Sequence, residues 1–286
     1  MTIKVGIVGF GNWGKRHFES WKSISDVEIV GIYDPAHKGK LFCNSLNELI
    51  QRSEALDIVV PPQSLTEVGR KAIKAGRHVF LEKPVAIDVE DAKSLARLSD
   101  EKPTCLSMVG FIERFNPVFI RIKSIFEQDS KPTAVFCQRS GSPTFVATQT
   151  GVLKDLAIHD IDLLRWMLGE PKSVSVRSSR SFHFGELELS FEETQALIIS
   201  DCLGPKIRRW VATCGDLTLF AHFEENQWRL FTKHGLNEQG TEIQVTWTPP
   251  LEAELRYFAN CLTTGRHPSP SIDDAVRALE IIEQAG

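Results

Sequence analysis

The chain opens with MTIKVGIVGFGNWG, an apolar run that passes directly into three glycines spaced GxGxxG: Gly9, Gly11 and Gly14. Ile3 to Val8, apolar apart from Lys4, reads as a buried strand. From Asn12 to about Ser23 the apolar residues recur at helical spacing. A buried strand, a glycine turn and a helix in immediate succession are the start of a βαβ unit, and each glycine has a separate physical task. Gly9 makes the tight turn, Gly11 lets the backbone approach a ligand, and Gly14 allows the helix to pack closely on the strand. The helix start then presents free N–H groups and the positive end of its dipole, a combination that binds phosphate.

The following segments repeat the unit. Strands are predicted at Val27–Tyr33, Leu56–Val60, Val79–Leu81 and Thr104–Val109, with helices at Leu46–Arg52, Leu65–Ala75 and Val89–Ser99. Mostly apolar strands alternating with helices imply a parallel sheet covered on both faces, hence a Rossmann domain over residues 1–110. Asp34 closes the second strand, where an acidic side chain accepts hydrogen bonds from the adenosine ribose and repels a 2′-phosphate. That favours NAD over NADP, with Lys38 nearby as a counterweight. A glycine turn without a ligand and a surface aspartate form the bland alternative. The strand end Val60-Pro61-Pro62 is placed to face the nicotinamide, although a plain Pro-Pro turn explains it as well.

The pattern changes after Gly110. Helices are predicted at Pro117–Gln128 and Leu153–Leu168. Candidate strands follow at Ser173–Ser178, Leu187–Phe191, Ala196–Asp201, Ile207–Thr213, Leu217–Ala221, Trp228–Thr232 and Ile243–Trp247. Closing helices are expected at Glu252–Thr263 and Asp273–Gln284. Consecutive strands with short turns indicate antiparallel pairing. The expected fold class is α/β: an N-terminal Rossmann dinucleotide-binding domain, then an α+β domain (111–286) built on a large, mainly antiparallel sheet.

At 286 residues, 42% hydrophobic and 24% charged, the chain has the composition of a soluble protein of about two domains. A formal net charge of -4 gives no electrostatic reason to expect nucleic acid or an anionic membrane as partner. The six cysteines are scattered without a CxxC pair, as reduced, mostly buried thiols would be. The N-terminal run is too short and glycine-rich for a signal peptide, and no stretch approaches about 18 apolar residues, so a cytoplasmic protein is expected.

Two further constellations carry chemistry. Glu82-Lys83-Pro84 follows the fourth strand, where ligand-facing residues of an open α/β sheet lie. A lysine there suits a substrate hydroxyl or its oxyanion; a solvated turn before proline is the alternative. In DLAIHDID, Asp155, His159 and Asp162 fall at i, i+4 and i+7 of the predicted helix, hence on one face, while Asp160 points elsewhere, toward a supporting or surface position. An imidazole flanked by carboxylates suits removal of a hydroxyl proton as hydride leaves carbon. A zinc site or a charged helix face would use the same residues, but no second His or Cys stands at ligand spacing, and no metal is expected.

The glycine fingerprint, Glu82-Lys83-Pro84 and the Asp155–His159–Asp162 helix, in that order, resemble the Gfo/Idh/MocA oxidoreductases over nearly the whole chain. The resemblance implies that Lys83 and His159 form the catalytic pair and that Asp155 contacts substrate. Gly11-Asn12-Trp13-Gly14, Glu113-Arg114-Phe115-Asn116-Pro117 and the full DLAIHDID are similar to one branch of that family, the UDP-N-acetylglucosamine 3-dehydrogenases. This likeness implies oxidation of a sugar 3-hydroxyl to a ketone with NAD, with Arg114 and Asn116 near the nucleotide sugar. Alternatively, ERFNP only starts a helix. The expected cofactor contacts are Gly9, Gly11, Asn12, Trp13, Gly14, Asp34, Pro61 and Glu82.

The sequence departs from the family pattern in a shortened stretch between Asp34 and Leu56, in Thr66 and Phe111 where histidines are common, and in its early end. A dehydrogenase of a free polyol or sugar, inositol-type, is the alternative enzyme; a nicotinamide-binding regulator without turnover is the alternative from another class. Arg114, Arg139, Arg177 and Arg180 are the cations available to a diphosphate. Apolar side chains assigned to the free face of the large sheet (Trp210, Phe220, Phe223, Trp228, Trp247) predict a homodimer or homotetramer.

Overall fold

The computed structural model describes residues 2–128, 131–178, 183–224, 226–235 and 240–284. Its contacts divide the chain into a first unit, Met1–Ile112 with Pro249–Arg277, and a second unit, Glu113–Thr248 with Ala278–Gly286.

The first unit holds β1 (Ile3–Val8), α1 (Asn12–Lys22), β2 (Val27–Tyr33), α2 (Leu46–Arg52), β3 (Ala55–Ile58), α3 (Pro62–Lys74), β4 (His78–Leu81), α4 (Val89–Asp100) and β5 (Ser107–Val109). The five strands are parallel, in the order β2-β1-β3-β4-β5. Val5, Ile7, Ala55, Leu56, Ile58, Val79, Phe80 and Leu81 are wholly buried, as strands covered on both faces require. Chain order reverses between β1 and β3, so the crevice at their carboxyl ends is the topological switch point where such sheets take ligands. The glycine turn, Asp34, Pro61 and Glu82-Lys83 all lie just beyond strand carboxyl ends.

In the second unit, a 3₁₀ turn (Ile112–Phe115, begun in the first unit) leads into α5 (Pro117–Gln128), β6 (Ala134–Ser140), α6 (Phe145–Thr150) and α7 (Ile158–Leu168). Strands β7 (Ser173–Ser178), β8 (Phe184–Ser190), β9 (Gln195–Asp201), β10 (Ile207–Cys214), β11 (Leu217–Glu224), β12 (Gln227–His234) and β13 (Thr241–Ile243) follow. The sheet order is β13-β12-β11-β10-β6-β9-β8-β7, antiparallel at every pairing except the parallel β6–β9.

Several expectations change here. β6, near the middle of the sheet, is absent from the sequence reading, because it ends in Gln138-Arg139-Ser140 and its inward Arg139 breaks the apolar alternation. α6 is likewise unanticipated. The helix expected from Leu153 begins as a π turn over Leu153–Ala157 before α7. Trp210 and Trp228, assigned to the free face of the sheet, are instead buried: both meet the Phe119 ring of α5, at 5.5 and 4.9 Å between centroids. They share the inward register with Ala212 and Leu230. The strand expected at Ile243–Trp247 stops at Ile243, leaving Trp247 outside the sheet.

The single boundary expected at residue 110 also changes. The chain re-enters the first unit through α8 (Pro250–Thr264) and the start of α9 (Ile272–Glu283). α8 packs against α1 and β1, and its Phe258 ring lies 5.7 Å from that of Phe80. A parallel sheet needs helical cover on both faces, and α8 supplies part of that cover from the far end of the chain.

Candidate active site

The glycine turn has the shape its sequence demands. Gly9 sits at φ +95, and a Cβ there would overlap the carbonyl oxygen of Val59. A Cβ on Gly14 would collide with the carbonyl oxygen of Gly9, so only glycine allows α1 to approach the turn this closely. Gly11 is the opposite case: nothing lies within 4 Å of a Cβ built on it, and it faces open space. It is the N-cap of α1, with no side chain capping that end and no acidic residue in the first turn. Uncapped N–H groups, a positive dipole end and clear space beside Gly11 fit the pyrophosphate of a dinucleotide.

Asp34 is tied to the same turn. Its Oδ2 accepts the Phe10 N–H at 2.7 Å, and its Oδ1 accepts the Ala36 N–H at 2.8 Å and meets His37 Nδ1 at 3.0 Å. Burial pushes the carboxyl pKa upward, but the hydrogen bonds from His37, Phe10 and Ala36 outweigh it and hold the pKa below its ordinary value. His37 stacks on Phe42, and Phe10 stands edge-on to Phe18, His37 and Phe42. The shortened segment after β2 thus folds an aromatic cluster around the Asp34 carboxylate. Phe42 bridges Ile32, and Lys38 is exposed.

On the other side of the turn, Trp13 Nε1 donates to Glu82 Oε1 at 2.8 Å. Glu82 Oε2 accepts the Lys83 N–H at 3.0 Å, and the Lys83–Pro84 peptide is cis. The Glu82 carboxylate also lies 3.1 Å from His17 Nε2, and the other ring nitrogen, Nδ1, lies 2.9 Å from Asp57 Oδ2. Trp21 Nε1 donates to that same Asp57 oxygen at 2.7 Å. His17 and Asp57 are wholly buried. Burial opposes a charge on His17, but Asp57 and then Glu82 override it and raise the imidazole pKa to about 10. Burial likewise works against the Glu82 carboxylate, and His17, Trp13 and Lys83 bring its pKa below the ordinary value.

Lys83 is half-buried in the first unit; His159 is half-buried on α7 of the second. Around α7 the polar residues are locked together. Arg114 donates Nε to Asp162 Oδ2 at 2.8 Å and Nη2 to Oδ1 at 2.6 Å. Arg139 makes the same fork on Asp160, at 2.8 and 3.1 Å, and donates Nη1 to Glu113 Oε1 at 2.8 Å. Trp210 Nε1 adds a donor to Asp160 at 3.1 Å. Burial works against the Arg139 charge, and Asp160 and Glu113 more than offset it, raising its pKa. Asp155, on the π turn, accepts Thr144 Oγ1 at 2.5 Å.

The sequence-predicted residues therefore fall into two groups. Gly9, Gly11, Asn12, Trp13, Gly14, Asp34 and Glu82 converge on the glycine turn, and Pro61 is exposed at the end of β3. Arg114 and Asn116 have their contacts within the protein: the Arg114 fork holds Asp162, and the Asn116 amide donates to Glu113 while its oxygen accepts the Val118 N–H at the start of α5. Asp160, given a supporting or surface role, is fully buried. Of the cations considered for a diphosphate, Arg139 is spent on carboxylates, Arg177 is an exposed partner of Glu186, and Arg180 lies outside the described residues. Thr66, where the family favours histidine, donates to the Val85 carbonyl at 2.9 Å. His17 and Asp57 were missed; the available signal was a lone aspartate in an apolar strand and a histidine flanked at i−4 and i+4 by Trp13 and Trp21.

Comparison with known proteins places these features in a family. A family model described as "Oxidoreductase family, NAD-binding Rossmann fold" matches residues 3–111, and one for the GFO/IDH/MocA C-terminal domain matches residues 120–198. Inositol 2-dehydrogenase of Rhizobium meliloti is 26% identical over 196 residues, 63% of this chain and 59% of that protein. UDP-N-acetylglucosamine 3-dehydrogenase of Acidithiobacillus ferrooxidans is 27% identical over 182 residues, 60% of this chain and 56% of that protein. These two alignments span less than two thirds of either relative. The solved structure of the Acidithiobacillus enzyme superposes with a TM-score of 0.86 over 100% of this chain and 97% of its own, at 21% identity, which shows a shared fold.

Proposed function

The chain belongs to the Gfo/Idh/MocA family of oxidoreductases, and from that premise we propose that it uses NAD to oxidise a sugar hydroxyl to a ketone, the substrate being the 3-hydroxyl of a UDP-N-acetylhexosamine. The observation that carries this reading is the hydrogen bond from Trp13 to Glu82, which joins the glycine turn to the turn bearing Lys83 within one unit. A dinucleotide seated on Gly9–Gly14 would then have its reactive end on the Lys83 side of the crevice. The nicotinamide supplies the hydride acceptor. In this reading His159 takes the hydroxyl proton and Lys83 donates a hydrogen bond to the substrate oxygen, steadying the charge that develops on it. Asp155 orients the sugar. Arg114 acts through Asp162 by fixing α7 rather than by touching substrate.

One observation favours a second reading, a free polyol or sugar as substrate. Arg114 and Arg139, two of the four arginines considered for a diphosphate, are taken up by Asp162, Asp160 and Glu113, which leaves less positive charge for that group. The test is reduced-nicotinamide absorbance with NAD or NADP in turn, on UDP-N-acetylglucosamine and on myo-inositol, with a ketone trap to pull the uphill oxidation forward. Signal confined to the nucleotide sugar supports the first reading, and signal confined to the polyol supports the second. Dinucleotide binding without oxidation of any substrate would make the protein a regulator. Lys83→Ala and His159→Ala should each lower turnover by a factor on the order of 10² to 10⁴.

Self-association through the large sheet belongs to the same proposal. Register aligns Leu197, Phe136, Val211, Phe220 and Phe231 in one row across five adjacent strands, all half-buried on the face opposite Trp210 and Trp228. A second copy of this chain covering that row would remove it from water.

A further inference from the structure

The trio Asp57–His17–Glu82 has a geometry that dinucleotide binding by the glycine turn does not by itself require. Both ring nitrogens of His17 lie within hydrogen-bond distance of carboxylate oxygens; facing two ionised carboxylates both nitrogens donate, and an imidazole with two donors is a cation. The titratable groups facing it are Asp57 on β3 and Glu82 after β4; the Trp13 and Phe80 rings lie edge-on to the imidazole, and Trp21 donates to Asp57. Glu82 in turn receives the main-chain N–H of Lys83. We propose that His17 is a positioning residue for Lys83: its imidazolium keeps the buried Glu82 carboxylate paired and aimed at the Lys83 main chain, which holds the backbone from which Lys83 acts on substrate.

The physical argument is one of competition. A buried carboxylate that loses its counter-charge must bind a proton or find another cation. With His17 neutralised, the cation next in sequence to Glu82 is Lys83, whose charge already acts on the Glu82 carboxyl. Drawing the ammonium onto Glu82 removes it from the substrate oxygen. The inference rests on the catalytic reading of Lys83, and the experiments below fail separately for the two.

The first experiment needs no variant at catalytic strength. In protein labelled with ¹⁵N-histidine, the His17 ring, identified by its disappearance in His17→Gln, should show two protonated nitrogens at pH 8.5; a neutral ring overturns the proposal. The second is kinetic, on the full chain. His17→Gln should lower kcat by about tenfold or more while KM for the dinucleotide stays within about twofold, since the loss is of a group acting on the reacting oxygen. Combining His17→Gln with Glu82→Gln removes the unpaired carboxylate, so the double variant should sit within about threefold of Glu82→Gln alone. A His17→Gln enzyme with wild-type kcat and only a lower Tm, or losses that multiply in the double variant, overturns the positioning role. Lys83→Ala separates the two ideas: wild-type turnover there refutes the catalytic reading itself. A large loss there beside an unaffected His17→Gln refutes only the positioning.

Discussion

The charge on His17 predicts how the stability of the first unit depends on pH. The folded pKa is raised to about 10, against 6.5 for the free side chain. A raised folded pKa contributes stability that is fully present below the unfolded value and is lost as pH rises through the folded one. Between pH 6.5 and about 10 the folded state holds one proton that the unfolded state lacks, so stability falls by about 1.4 kcal/mol per pH unit. From pH 7 to 9.5 that amounts to about 3 kcal/mol, or roughly 1.5 to 2 M in the urea midpoint. Other groups titrate in this range, so the reference is His17→Gln combined with Glu82→Gln, which removes the cation with one of its two anions. Urea unfolding followed by tryptophan emission, at half-unit steps of pH, should give midpoints for wild type and reference that converge as pH rises. Parallel midpoints for wild type and reference would refute the assignment of a buried imidazolium.

Three further outcomes follow from contacts already described. Gly14→Ala should lower the Tm and abolish dinucleotide binding, because its Cβ collides with the Gly9 carbonyl; Gly11→Ala should leave Tm nearly unchanged, within about 0.5 kcal/mol of stability, and weaken binding by calorimetry. Arg114→Ala should cost about 3 to 5 kcal/mol by removing the forked guanidinium from buried Asp162, and Arg114→Leu with Asp162→Leu should recover much of it in chemical denaturation. Phe220→Arg, within the apolar row, should lower the oligomeric mass by light scattering without loss of fold; an unchanged mass would exclude this face as the interface.

The cofactor-binding half was legible because its signals are local. Strand, glycine turn and helix are contiguous, Asp34 lies at the end of the next strand, and each glycine's role follows from chain geometry within a few residues. Supporting residues were harder to see, because what makes them supportable lies far away in sequence. His17 reads as an ordinary helix position until Asp57, 40 residues on, and Glu82, 65 residues on, are brought to its two nitrogens. Arg139 broke the apolar alternation of β6 and concealed a central strand, since nothing near it shows that Asp160 and Glu113 would neutralise a buried guanidinium. The return of α8 to the first unit was hidden for a related reason. Its amphipathic pattern requires an apolar surface to cover but does not say which one.

The two units solve one physical problem in the same way. Each proposed catalytic residue adjoins a buried carboxylate in sequence: Lys83 follows Glu82, and His159 precedes Asp160. Each of those carboxylates shares a buried cation with a second carboxylate, His17 with Asp57 in one unit and Arg139 with Glu113 in the other. Each also takes a tryptophan indole N–H, from Trp13 or Trp210. A lysine or histidine that works on substrate must stay reachable at its tip, and burial cannot then immobilise it. Anchoring the adjoining residue instead fixes the backbone from which the working side chain projects.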